Sequence, residues 1–208
     1  MWETRVAPLS GVLFGVLLIA SYLVDPNTDF MPPPEEIVSH IQEDPMSVML
    51  GAYLRMLAAA ALVWFAASLN QSIKRLGDGR LGLLALGGGV MAASLMAIGS
   101  AATVAAAERM VVTDSIDPGA AAALFDLAGI AVGNAAPIGF AILIGAAGIA
   151  ISKAREKNPW VGWVSIVIAL GLLSPYGWLL LAAVVVWIPG TGIWLYRSES
   201  GQPQLANV

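Results

Sequence analysis

The chain has 208 residues, 58% of them hydrophobic and 12% charged, with a formal net charge of −4. Soluble domains run at about 45–50% apolar and about 25% charged, so one aqueous core cannot hide the excess and the solvent must be lipid. With no Cys and one His, disulfides, thiolate chemistry and multi-histidine metal or haem sites within the chain are excluded.

The first apolar run ends at Val24 and is too long for the h-region of a cleaved signal, about 7–15 residues. It is followed by Asp25-Pro26, not by a small-x-small cleavage site, so it reads as a retained span over about 7–24. Gly11 and Gly15 form a G-x-x-x-G pair, which admits a second backbone at close range. Between Asp25 and Asp44 the chain is acidic (Asp25, Asp29, Glu35, Glu36, Glu43, Asp44) with no Lys or Arg. Pro34 followed by Glu35 and Glu36 predicts a short helix, because Pro suits the first turn and carboxylates suit the positive end of the dipole. Ile37, Val38 and Ile41 are expected to rest on the membrane surface. His40 among carboxylates suggests a cation site. The carboxylates lack the dense spacing of a calcium loop, so a solvated cap is the better reading.

The second span is expected over about 46–72, with Asp44 as its cap and Pro45 in its first turn. Lys74, Arg75 and Arg80 close it with a basic cluster. A third span covers about 81–107. Its Gly87-Gly88-Gly89 run lacks the Lys-Ser/Thr of a phosphate loop and reads as a helix-packing surface. Asp117-Pro118 repeats the Asp44-Pro45 start signal and opens a long fourth span, about 119–152. Asn134 and Pro137 interrupt it, and Pro137 should kink it. Lys153, Arg155 and Lys157 end it. A short fifth span over about 160–173 and a sixth over about 176–196 follow, with Trp160, Trp163, Trp178, Trp194 and Tyr196 placed for the interfacial belts. Trp187 suits the bundle interior instead.

The expected fold is therefore all-α: one six-helix transmembrane domain over 1–208, with a short extracytoplasmic helix between spans 1 and 2. Arg5, Lys74, Arg75, Arg80, Lys153, Arg155, Lys157 and Arg197 fall on one side and only Arg109 on the other. By the positive-inside rule both termini are expected to be cytoplasmic, in a multi-pass membrane protein.

Arg55 stands out inside its span. A guanidinium cannot shed its proton, so in hydrocarbon it must snorkel or find an anion. Counted from Pro45 and Pro118, Arg55 and Asp126 lie at similar depth, which predicts an Arg55–Asp126 contact, with Glu108 as the second choice. A structural ion pair is the leading reading of that contact; an outward-facing pocket in which Arg55 holds an anionic group is the functional one. Asn134 with Pro137 reads as a helix kink or cavity lining, or as a simple interhelical hydrogen bond.

The order of marks is Pro34-Glu35-Glu36-Ile37, Gly51-Ala52-Tyr53-Leu54, Trp64-Phe65-Ala66-Ala67-Ser68-Leu69, Asp117-Pro118 with Leu124-Phe125-Asp126, and Asn158-Pro159-Trp160-Val161-Gly162-Trp163. Over most of the chain this resembles a family of small polytopic actinobacterial membrane proteins of unknown function. The resemblance implies a compact bundle of about six helices in a bacterial inner membrane and carries over no catalytic residue.

The function expected is non-enzymatic: an accessory subunit, or a binder of lipid or of a hydrophobic or anionic small molecule. A small transporter or channel is the second reading and an intramembrane carboxylate enzyme the third. The bilayer is the expected partner, together with a bound lipid or a membrane protein. No cofactor, metal or nucleic acid is expected.

Overall fold

The computed structural model describes residues 7–26, 32–153 and 159–200. Arg5, Asp29, Arg155 and Lys157, which enter the charge count above, lie outside the described residues. After a 3-10 turn at Ala7–Leu9, the helices are α1 (Ser10–Val24), α2 (Pro34–Glu43), α3 (Pro45–Arg75), α4 (Gly79–Thr113) and α5 (Pro118–Gly129). A π-helical turn, Ile130–Ala135, joins α5 to α6 (Ala136–Lys153) without a break, and α7 (Pro159–Leu172) and α8 (Leu181–Ser200) complete the fold. No strand occurs among the described residues.

Local chemistry sets the helix ends. Asp44, Asp78 and Asp117 each accept the backbone N–H three residues on (Ser47, Leu81 and Ala120), closing the first turns of α3, α4 and α5. Gly77 turns the chain from α3 into α4 at φ +92°, a conformation that costs glycine nothing. The Leu81 N–H, and after it Lys153 at 3.3 Å, hold the Asp78 carboxyl below its ordinary range. That contribution to stability is present above the ordinary carboxylate pKa and is lost as pH falls through the lowered one.

Five stretches are long and apolar enough to cross a bilayer: Ala7–Val24, Pro45–Arg75, Gly79–Thr113, Pro118–Lys153 and Gly177–Arg197. They match the expected spans to within a few residues at most ends. The helix expected as a fifth span, α7, has 14 residues and is about 21 Å long, short of a hydrocarbon layer of about 30 Å. Around the bundle the packing order is α8, α1, α3, α4, α6, α7. The Trp187 indole of α8 reaches α7, donating to the Ser165 hydroxyl at 2.8 Å, and its ring stands edge-on to Phe65. Phe14 and Phe140 meet beside this contact.

Glycine decides how near the helices come. A Cβ on Gly88 would lie 2.6 Å from the Leu143 nitrogen, and one on Gly139 would lie 2.6 Å from the Ala92 nitrogen, so α4 and α6 cross backbone to backbone. Gly148 and Gly162 do the same for α6 and α7. The Gly11/Gly15 pair faces Phe65, the Ile188 carbonyl and Pro189. It is used inside the bundle, between α1, α3 and α8. Pro189 neither ends nor splits α8, which runs on to Ser200.

The molecule has two tiers. α3 and α4 hold 31 and 35 residues, about 46 and 52 Å. Counting about 20 residues from Lys74 back along α3 reaches Leu54–Arg55, so some 15 Å of α3 and more of α4 stand beyond a bilayer seated at that basic end. Two separate apolar clusters reflect this. The larger holds Phe14, Leu62, Phe65, Phe140, Leu143 and Ile188. The smaller holds Ile37 and Ile41 of α2 with Val48, Ala106, Met110 and Ala121 from the protruding ends of α3, α4 and α5. Ile37 and Ile41 are fully buried there, so α2 does not lie on the membrane surface. The apolar ends of α4 and α5 offer its stripe a dry partner, which an interface cannot match. Ile37→Ala is expected to cost about 2–5 kcal/mol and to open this cap alone. Hydrogen exchange should quicken over 34–43 and stay slow over 136–151.

Candidate functional site

Arg55 lies at the joint between the two tiers. Its Nη2 donates to Asp25 Oδ2 at 3.1 Å, and His40 Nε2 stands 3.0 Å from Asp25 Oδ1. Asp25 is 5% exposed. The carboxylate is therefore held from α1 between a cation on α3 and the imidazole of α2. The Asp25 N–H donates to the Ser21 carbonyl, and the Ser47 hydroxyl donates to the Val24 carbonyl. The first closes the last turn of α1, and the second ties the end of α1 to the start of α3. Gly51 makes the approach feasible, since a Cβ there would fall 2.6 Å from the Asp25 Cβ.

This replaces the expected contact of Arg55 with Asp126 or Glu108. The depth argument measured from Pro45 and Pro118, as if both marked the bilayer edge. Both helices extend past the end of α1, and Arg55 lies level with that end, where it meets Asp25. Azimuth matters as much as depth: α5 packs on α4 and α2, whereas α1 packs on α3. Asp126 is half-buried, Glu108 is exposed, and neither is in an ion pair among the described residues. The acidic loop is correspondingly less solvated than expected, because Asp25 and His40 leave it for the joint. The readable signal was that Asp25 is the first charge after span 1. Among the described residues no group of three His, Cys, Asp or Glu side chains is placed to hold a metal.

The second constellation is a groove. Pro137 has no N–H, and its ring would crowd the carbonyl four residues back in a regular helix. The chain widens into the π turn at Ile130–Ala135 just before it, so the expected kink takes the form of a wide turn. Pro137 is buried and Asn134 exposed. Asn134 points into a half-open groove of about 270 Å³ lined by Gly133, Pro137, Leu172, Ser174 and Gly177, among others. The floor is there because α7 stops at Leu172 and the chain turns through Ser174-Pro175 at the level of the wide turn. Tyr176 and Trp178 of that turn are exposed, as interfacial aromatics are.

A helical bundle with five such apolar spans has the make-up of a polytopic membrane protein. Comparison with protein-family models, curated proteins and solved structures finds no match to the chain.

Proposed function

We propose that this is a non-catalytic membrane protein that binds an amphiphile in the Asn134 groove. The single observation carrying the reading is the groove itself. It joins an exposed amide and a hydroxyl to apolar walls at the depth where a lipid changes from polar to apolar. Arg55 serves the fold in this reading: its charge is matched by Asp25, and it holds α1, α2 and α3 together at the joint. We further propose six spans, with α7 crossing as a short one, both termini cytoplasmic, and the α2 cap on the outer face of a bacterial inner membrane. The side carrying Lys74, Arg80 and Lys153 is then the inner one, in keeping with the positive-inside rule. The resemblance to small actinobacterial membrane proteins is consistent with this placement. A transporter needs a polar path from the joint to the basic end, and the larger apolar cluster occupies that path.

The test is native mass spectrometry on protein extracted gently from its own membrane. Adducts of lipid or other amphiphile mass are expected on the native protein. Ser174→Trp, a change on an exposed turn, should fill the groove and remove them while thermal stability is kept. Adducts that survive that substitution unchanged would sink the proposal.

A further inference from the structure

We infer that the amphiphile in the Asn134 groove carries a cationic, ammonium-type head, and that Asp126 receives it. This inference rests on the groove reading above.

Asp126 and Asn134 are eight residues apart on one continuous helix. Seven residues make about two turns of an α-helix. The π turn at Ile130–Ala135 takes in one more residue, so eight residues return to the same face. Asp126 therefore lies above the groove on its own side, about 12 Å further from the basic end. Below it the same face turns apolar, with Ile138, Ile142 and Ile149 exposed at helical spacing. One ridge thus presents a carboxylate, then an amide beside the Ser174 hydroxyl, then alkyl groups. That is the polarity profile of an amphiphile standing upright in one leaflet, head toward the α2 cap.

The sign of the head follows from the local charges. Arg55 and His40, both at this end, are taken up by Asp25. No ion pair links Asp126 to Arg109 or to any other described cation. Asp126 is half-buried, and a carboxylate drawn out of water favours a counter-charge. An anionic head would meet an unmatched carboxylate there, and would find the Arg55 guanidinium already occupied. The expectation of an anionic ligand drawn from Arg55 alone is thereby reversed.

The experiment uses the full-length protein in phosphatidylcholine nanodiscs doped with chain-matched hexadecylamine, hexadecanol or palmitate, read by native mass spectrometry. Hexadecylamine should be retained over hexadecanol by about two- to fivefold, the upper range of a partly exposed charge pair, and palmitate least of all. Asp126→Asn should bring the amine down to the alcohol, while Glu108→Gln, the same charge change on another face, should leave the preference intact. Palmitate held as well as the amine, or an amine preference that survives Asp126→Asn, would overturn the assignment. If all three probes are held alike and lost together in Ser174→Trp, the groove reading stands and the headgroup inference fails. If no probe is held, both fail. A second arm compares phosphatidylethanolamine with phosphatidylglycerol. Preference for the former puts the amine on a bilayer phospholipid, and amine preference without it puts the amine on a single-chain amphiphile.

Discussion

Asp25→Asn is expected to lower the stability of the protein by about 3–5 kcal/mol, the usual cost of stranding one partner of a buried ion pair. In a chain of this size that corresponds to a fall in melting temperature of about 10 °C. The direction follows from what remains. Arg55 is left without its counter-charge, and its side chain is only 15% exposed. The amide that takes the place of the carboxylate can still accept one hydrogen bond but supplies no charge. Arg55→Leu should cost less, because the Asp25 carboxylate left behind retains His40 at 3.0 Å. Replacing Asp25 and Arg55 together by Leu should recover much of either loss, since no unpaired charge is then left at the joint. Thermal melts in one detergent measure all four forms. Equal melting temperatures for native protein and Asp25→Asn would show that the pair does not hold the joint. Asp126→Asn, by contrast, should leave the melting temperature nearly unchanged, because its carboxylate pairs with no cation among the described residues.

The second large effect is expected from Gly88→Val. The β-carbon alone would come within 2.8 Å of Leu143, Gly139 and Ile142 atoms, two of them backbone. Backbone cannot rotate aside as a flexible side chain can, so α4 and α6 must separate along their whole contact. The loss should be about 3 kcal/mol or more, at the upper end for an overpacked site. Gly87→Ala, one residue earlier, is the control: a Cβ there meets nothing within 4 Å. It should change stability by no more than about 0.5 kcal/mol. Yield of monodisperse protein and its melting temperature will separate the two. A well-folded Gly88→Val would mean that the α4–α6 crossing is looser than its geometry.

Both expectations turn on features that are unevenly visible in the chain. The long apolar runs, the Asp-Pro starts and the basic ends announce themselves because each is a local property. A backbone in lipid must satisfy its own hydrogen bonds, and only a helix does so within one segment. Hence most span boundaries read from composition match the helices to within a few residues. The groove was half legible for the same reason: Pro137 must disturb its own helix wherever it stands, although the form of that disturbance, a widened turn, was not.

What the sequence alone determined is therefore one-dimensional: which segments are apolar helices, where each starts, and that Arg55 requires an anion. Which anion was decided only by the tertiary structure. Depth can be counted along a helix, but azimuth cannot, and the neighbour of α3 at that level is set by how glycines let the backbones close. The same closing lifts the ends of α3, α4 and α5 beyond the short α7. It buries Ile37 and Ile41 in a cap and leaves Asp126 above a groove that no stretch of the chain shows by itself.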